Sequence, residues 1–585
     1  MVDITVNKKG DSFIVKFPPT NEDIEKARKI PSRTWLKAAR AWKCAASLAN
    51  VEYLKAAWPN AAWSEGALHA QQKAVERAQV RAATLKAKED GDLSQLDGVP
   101  FRHPPFDHQK KALLLGRDTE AFAYLMDQGT GKTKTLLDDA AHNWREDRID
   151  ALIIVSPNSV KTNWVSPDGV DEVTEHMAPD VDYVKGVWFS SPNKQQRKAF
   201  EYFAVHSEDR RKLKILSLNI ETLSVPRVVR FLEAFMTNYR TMFVIDESTR
   251  IKTPGAKRTK TALRLGKLAV KRRILSGTPV IKALENAYTQ FAFLDPDILG
   301  FQSFYSFKNH FCNMGGFENK QVLSYKNTDE LSQKIASASF RVLKEDCLDL
   351  PPKVYAPPRH LQMTPEQNKA YQQMREDMLV VLEESVIAAP LVLTQVMRLQ
   401  QIVGGYLPKL DDNGEVVDTI ELVPPSRNPK IQECLNIIEE AGDQKVIIWA
   451  RFRAELEGII NELRRQKITC VPFHGGVPED ERLRNRQDFQ RAEGPRVLVG
   501  NPAAGGIGIN LYQASVAIYF SNSFSTEERV QSEDRCHRIG SGIHSSVTYH
   551  DLVCTGTVDS KIISTLRRNK QISDEVMNDG WREWI

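Results

Sequence analysis

Residues 126–133 read MDQGTGKT, between a run that predicts a strand (AFAYL, from Ala121) and a pattern that predicts a helix (TKTLLDDAAHNW, from Thr133). That is the context a phosphate-binding loop requires. Gly129 and Gly131 permit the backbone curl that turns N–H groups, that of Thr130 among them, towards phosphate oxygens. Lys132 then falls where it would bridge the β- and γ-phosphates of ATP, and Thr133 where it would ligate Mg2+. The helix starting near Lys132 adds its positive end. One departure is visible: Met126 stands where the full pattern has its first glycine.

VIDEST (Val244–Thr249) supplies a complement one lobe's length of chain later. Asp246, at a strand end, would hold the metal, and Glu247 would orient and deprotonate an attacking water. Taken alone, such a pair reads as an acidic helix cap; its distance after a phosphate loop favours the catalytic reading. A third element is RVQSEDRCHRIG (Arg529–Gly540). Gln531, Arg535 and Arg538 are spaced by four and three, so one helix face would carry all three. Arginines presented to a γ-phosphate stabilise its transition-state charge, although an isolated Arg-x-x-Arg is usually a solvated face.

These groups need strand ends to hold them. ALIIVSP (from Ala151), KILSL, TMFVIDE and RRILSGTP form one set of short apolar runs; KVIIWA (from Lys445), ITCVPFHGG, RVLVGN, VAIYFS and VTYHDLV form another. Such β-rich runs alternating with helical stretches predict parallel strands buried on both faces, with right-handed crossovers. The expected fold class is therefore α/β, with two lobes at 99–300 and 426–570. A helical insert or bridge is expected at 301–425, where Thr364 and Gln367 form a capping box. A small α+β domain at 1–60, a helical connector at 61–98 and a tail at 571–585 complete the division. Within the first domain FIVKF reads as a strand, and Glu22 to Trp58 as helix broken at Pro31.

Hydrophobic residues make up 41% and charged residues 26%, ordinary for a globular chain. No apolar run is long enough to span a bilayer, and the first residues lack a signal-peptide core, so neither a membrane nor secretion is expected. The seven cysteines form no Cys-x-x-Cys pair. Reduced thiols in the cytoplasm are expected, not a zinc cluster. The net charge of +5 is compatible with nucleic acid; clustering matters more. Lys257–Arg273 carries eight Lys or Arg and no acid.

Together these residues resemble the superfamily-two helicases, and among them the Swi/Snf-type ATPases, over most of 100–575. PFDHQKKAL resembles the adenine-reading element, with Gln109 the base contact. SPNSVKTNW resembles the Pro-x-Ser-x-x-x-Asn-Trp segment, here Pro157, Ser159, Asn163 and Trp164. DESTRIKTP, SGTPVIKALENAYTQFAFLDP, LPPKVYAPPRHLQMTPEQNKAY, FHGGVPEDERLRNRQDF and AAGGIGINL follow in the family's order, and QSEDRCHRIG is the most family-specific string. Thr249 replaces the usual histidine, Ser276 a threonine, and Phe524-Ser525-Thr526 stands for Trp-Asn-Pro; none removes a group needed for hydrolysis.

The resemblance implies two RecA-like lobes, with Gly277, Thr278, Gly506 and Gly508 coupling hydrolysis to movement. It implies ATP and Mg2+ as cofactors and double-stranded DNA across both lobes, held by its phosphates and so without sequence preference. Pro157, Ser159 and Asn163 would take part in that grip. Residues 13–58 resemble the HARP domain of annealing helicases through FIVKF, IPSRTW and Ala41-Trp42. Seven basic residues and no acid lie between Lys26 and Lys43. Arg33, Trp35 and Trp42 there combine charge with stacking faces, a combination suited to forked or single-stranded DNA; the same tryptophans would equally serve as a small core. The expected function is a DNA-dependent ATPase translocating on duplex or forked DNA. The alternatives are a strand-separating helicase on DNA or RNA, and a DNA-binding scaffold with a dead site, against which the intact Lys132, Asp246, Glu247, Arg535 and Arg538 argue.

Overall fold

The computed structural model describes residues 2–578 apart from 9, 11, 31–32, 91, 159, 167–170, 210, 278–283, 302, 316–320, 385–388, 411–415, 503–509 and 539. Packing divides the chain into a unit built on residues 1–343 and a unit built on 344–572.

The first unit begins with a five-stranded sheet of β1 (Asp3–Val6), β2 (Ser12–Lys16), β3 (Thr34–Leu36), β4 (Ala41–Ala45) and β5 (Ala62–Trp63), in the order β3-β4-β2-β1-β5. FIVKF is thus a strand. The Glu22–Trp58 stretch is not one broken helix: helices Asn21–Arg28 and Leu48–Ala57 flank β3 and β4. The aromatic and β-branched residues of β3 and β4 favour a pleated pair, and Arg40 takes the left-handed conformation (φ 44°) that reverses the chain between them. Phe13, Val15, Cys44, Leu54 and Trp58 pack the core of this module. A long helix, Glu65–Asp90, leads away from it, and its Arg77 reaches Asp297 at 3.4 Å.

Next comes a seven-stranded sheet, every neighbouring pair parallel. Its strands are β6 (Ala121–Met126), β7 (Ala151–Ser156), β8 (Tyr183–Val187), β9 (Leu213–Asn219), β10 (Thr241–Asp246), β11 (Lys271–Leu275) and, after a hairpin of β12 (Cys312–Gly315) and β13 (Gln321–Tyr325), β14 (Ser339–Val342). The order is β14-β6-β11-β10-β7-β9-β8. Residues of β7, β9 and β10 are buried throughout, which explains their unbroken apolar runs. The edge strand β14 comes from the segment expected to be an insert.

Of the basic run at 257–273, the last three residues serve the fold. Arg273 is buried and bridges Asp139 at 2.7 Å, whose carboxylate also accepts from Tyr124 at 2.8 Å. Lys271 donates to the Thr119 carbonyl at 2.9 Å, and burial pushes its pKa down to about 8. Lys257, Lys260, Arg264 and Lys267 remain exposed.

The second unit has its own parallel sheet. Strands β15 (Lys353–Tyr355) and β16 (Arg359–Leu361) both pair with β23 (Val547–Cys554). A hairpin of β17 (Tyr406–Leu410) and β18 (Val416–Glu421) precedes β19 (Lys445–Trp449), β20 (Cys470–Phe473), β21 (Val497–Gly500) and β22 (Ala514–Tyr519). The order is β15-β23-β22-β19-β21-β20. Both units thus carry a parallel sheet, as the α/β pattern implied and as two RecA-like lobes require. Among the described residues no helix is long and apolar enough to cross a membrane.

Candidate ATP site and arginine segment

In the first unit β6, β11 and β10 lie side by side, so the loops leaving their carboxyl ends converge. The MDQGTGKT loop leaves β6. Gly129 (φ 85°) and Gly131 (φ 91°) take left-handed conformations that a side chain would strain. Gly131 caps helix Lys132–Arg145, whose first N–H groups are therefore free to face an anion. Thr130 is buried and ties the loop to itself through its hydroxyl, which donates to the Asp127 carbonyl at 2.7 Å. The Lys132 ammonium donates to the Met126 carbonyl at 2.7 Å. Thr133 is half-buried one residue further along the helix.

Gln109 lies against this loop. Its amide donates to the Thr130 carbonyl at 3.0 Å and accepts from the Phe106 N–H at 3.1 Å. His108 shares the same carbonyl at 2.7 Å. A Cβ at Gly131 would come 2.0 Å from the Gln109 nitrogen, a second reason for glycine there. Gly277, after β11, approaches from the other side: a Cβ there would sit 3.5 Å from the Met126 carbonyl.

Asp246 closes β10. It is 6% exposed, and one carboxylate oxygen accepts from the Glu247 N–H at 3.0 Å. The other accepts from the indole N–H of Trp164 at 2.9 Å. Burial pushes its pKa up, against the pull of the Trp164 hydrogen bond and the Lys132 charge. Glu247 is buried in the left-handed region (φ 50°, ψ 61°). A non-glycine residue there stores about 1–3 kcal/mol, which the surroundings must hold. Beneath it Ser248 donates to Gln290 at 2.6 Å, and Gln290 donates to the Asn286 carbonyl at 2.8 Å. These bonds pin the strained turn to the helix Asn286–Leu294.

In the second unit the helix carrying Gln531 runs from Thr526 to Glu533 and stops. Arg535 and Arg538 lie beyond it in a turn, so the expected single helical face does not exist. Asp534 caps the helix with its N–H on the Val530 carbonyl at 3.0 Å, and its carboxylate makes a buried contact with Lys344 at 2.8 Å and Lys353 at 3.1 Å. Burial alone would raise its pKa, but the two ammonium groups hold it well below the usual carboxylate range. Arg529 bridges Glu533 at 2.8 Å and Asp551 at 2.5 Å and stacks on Tyr519 at 3.4 Å. Tyr355 donates to Glu533 at 2.8 Å. His537 pairs with the Pro351 carbonyl at 2.8 Å, and burial pushes its pKa down to about 4. Arg535 is buried and its carbonyl accepts from the Leu511 N–H at 2.9 Å; Gln531 is half-buried and donates to Glu527 at 3.5 Å.

Comparison with known proteins agrees with this architecture. Residues 48–404 match the model of the SNF2-related domain, and residues 429–540 that of the helicase conserved C-terminal domain. The chain belongs to the SNF2-related family. It is thus a superfamily-two, Swi/Snf-type member, and its two matched domains are those of an ATP-hydrolysing enzyme. Similar proteins include an uncharacterized ATP-dependent helicase of Mycoplasma genitalium, 25% identical over 76% of this chain and 39% of that one. The SWI/SNF-related matrix-associated actin-dependent regulator of chromatin subfamily A-like protein 1 homolog of Caenorhabditis elegans is 24% identical over 97% and 75%. The DNA annealing helicase and endonuclease ZRANB3 of Mus musculus is 24% identical over 62% and 32%. The chain therefore spans well under half of the first and third of these relatives. A solved SWI2/SNF2 ATPase core of Sulfolobus solfataricus in complex with dsDNA aligns with a TM-score of 0.36 at 22% identity, over 82% of this chain and 95% of that one. The matched SNF2-related model begins at residue 48 and so does not test the HARP-like reading of residues 13–58.

Within this SNF2-related chain the structure gathers Gln109, Gly129–Thr133, Asp246, Glu247 and Gly277 around one set of strand ends. Thr278, Gly506, Gly508 and Ser159 lie outside the described residues. Pro157 is buried and Asn163 exposed, at the two ends of the turn after β7. Trp35 and Trp42 face each other across β3 and β4 with ring centroids 5.1 Å apart; Trp35 is 45% exposed, and Arg33 lies 6.0 Å over Trp42. The core of that module includes Trp58, and Trp42 packs half-buried against it. Two sets of contacts were missed from sequence: the bond from Trp164 to Asp246, and the Lys344–Lys353–Tyr355 set that holds the arginine segment. The Trp at the end of SPNSVKTNW was a visible signal for the first; nothing in the spacing marks the second.

Proposed function

We propose that this chain is a DNA-dependent ATPase that translocates on double-stranded or forked DNA without reading its sequence, remodelling junctions or displacing bound proteins. The observation that carries the reading is the convergence of a phosphate loop, a buried aspartate and a strained glutamate at adjacent strand ends. Lys132 and the N–H groups of residues 129–133 hold the phosphates, Glu247 orients the attacking water and takes its proton, and Arg535 and Arg538 are the transition-state cations. Thr133 and Asp246 offer only oxygen donors, one of them a carboxylate held at the end of β10, a set that suits Mg2+. When bound, Mg2+ neutralises charge developing on the phosphates.

The SNF2-related domains and the DNA annealing helicase among the relatives support DNA as the substrate. The paired, half-open Trp35 and Trp42 among basic residues support recognition of unpaired bases at a fork, since aromatic faces stack on bases of any sequence. ATP hydrolysis measured with duplex, forked and single-stranded DNA and with duplex RNA tests this. Strong stimulation by any DNA containing duplex, and a further fork-specific increment lost in Trp35→Ala, is the expected result. Stimulation only by single strands or by RNA would transfer the chain to the strand-separating helicases.

A further inference from the structure

Beyond the end of the edge strand β8 the first unit holds a cavity of about 710 Å³ that shares no residue with the phosphate site. Its size falls within the range of small-ligand pockets, about 300–1,000 Å³. Neighbouring strands of this sheet are all parallel, so the cavity lies at the same end of the sheet as the phosphate loop. Five strand spacings separate β8 from β6, roughly 24 Å.

The walls are aromatic. The Trp188 N–H donates to the Ser217 carbonyl at 2.9 Å, which ties this residue to the sheet just past β8. Its ring meets Phe200 edge to face at 5.1 Å, and Phe231 backs both, at 5.7 Å and 6.2 Å. The rings therefore support one another, while Trp188, Phe189 and Phe200 stay only half-buried. The rim is cationic. Arg197 on the helix Lys194–His206 and Arg227 in the first turn of the helix Pro226–Asn238 are exposed there, against one acid, Glu201. Arg227 spends one donor on the Ser190 carbonyl at 3.3 Å and keeps the rest of its fork.

We propose that this cavity takes one unpaired nucleotide of a DNA strand, with its base stacked against Trp188 and Phe200 and its phosphate held by Arg197 and Arg227. This rests on the DNA reading above and adds a place on the motor unit itself where an unpaired strand is held. Shape and charge select the occupant together. A flat ring carrying an anion satisfies both the walls and the rim, whereas an apolar ligand leaves two guanidinium groups unused. The lining has little with which to read base edges: the Gln196 side-chain oxygen already accepts from the Asn193 N–H at 3.0 Å. Stacking of this kind accepts every base, because each has a π-face. A paired base must first leave its stack, at a cost that an unpaired one does not meet. The cavity therefore favours DNA with unpaired positions over blunt duplex.

The test uses the full chain and a duplex carrying one unpaired 5-iododeoxyuridine, with a fully paired duplex of the same length as reference. Ultraviolet irradiation should link the iodinated base to Trp188 or Phe200, located by mass spectrometry of the digested protein. Phe200→Leu should lower affinity for the unpaired-base DNA relative to the paired duplex by about 5-fold or more, the usual weight of one stacked base. Since a ring change can disturb packing, a second variant combines Arg197→Gln with Arg227→Gln, which leaves the walls intact and should reduce the same preference. Crosslinks at the cavity, with a loss confined to the unpaired-base DNA in both variants, support the proposal. Crosslinks that map only to Trp35 or Trp42 overturn it, as does an equal loss on both DNAs in the arginine variant. An acidic Asp-Phe repeat peptide is the competing occupant. Saturable binding of that peptide, lost in the arginine variant while the DNA preference stays, would assign the cavity to a protein partner and overturn the proposal. A wild type that binds paired duplex without favouring the unpaired base overturns the cavity assignment alone; one that binds no DNA overturns the functional reading beneath it.

Discussion

The phosphate site of the first unit and the arginine segment of the second are held by opposite means. Around Lys132, Asp246 and Ser248 the hydrogen bonds come from neutral groups: backbone carbonyls, an indole, a hydroxyl and an amide. Glu247 between them is kept in a strained conformation. Around Arg535 the fixing groups are themselves ions, with Asp534, Glu533, Asp551, Lys344, Lys353 and Arg529 largely saturating one another. The first arrangement is set to respond to what binds; the second holds a turn in one shape. A fully paired buried network costs little while intact and much when one member is lost.

The largest expected effect falls on the first region. Glu247→Gln keeps size and burial but removes the base, and steady-state ATP turnover drops by about 10²–10⁴-fold, with nucleotide binding retained. Lys132→Ala loses turnover and nucleotide affinity together. If Glu247→Gln turned over normally, the assignment of the base would be wrong.

The second region breaks through stability instead. Asp534→Ala leaves the buried Lys344 without its carboxylate and Lys353 with only Glu533, and should destabilise the second unit by about 3–5 kcal/mol, read as a lowered melting transition. In the first unit Arg273→Met, which strands Asp139, should cost a similar amount; an unchanged transition in either would show the ion pairs to be dispensable.

How much of this was legible from residue types is uneven, for a physical reason. Glycines at 129 and 131 and acids at a strand end are local requirements, so the string carries them. Trp164 matters only because β7 and β10 are neighbours, and strand order is a tertiary fact. Likewise the helix through Arg535 looked continuous because the spacing fitted. It ends at Asp534, whose carboxylate meets two lysines far back in the chain, and such long-range partners leave no mark in local spacing. The Trp35–Trp42 stretch was misread as helix, since β3 and β4 are too short for alternation to stand out.

Two smaller effects sharpen the contrast. Gly131→Ala combines a positive φ with a clash on Gln109. It should cost about 1–3 kcal/mol and weaken nucleotide binding, whereas Gly542→Ala, with open space around it, should be silent. Glu455 of the second unit is buried, accepts from Ser521 at 2.6 Å, and burial pushes its pKa up to about 7. A raised folded-state pKa contributes stability that is present below the unfolded value and lost as pH rises through about 7. Melting temperature should therefore fall between pH 5 and 8 by an amount worth about 1–3 kcal/mol. Glu455→Gln should flatten that slope without altering turnover at the lower pH.

The central claim is movement on duplex DNA driven by the site at Lys132 and Glu247. Displacement of a third strand from a triplex placed at one end of a long duplex measures it directly, because the third strand leaves without any separation of the duplex. The account predicts release that needs hydrolysable ATP, is abolished by Glu247→Gln, and occurs on unrelated duplex sequences alike. ATP turnover stimulated by DNA with no third-strand release would contradict translocation.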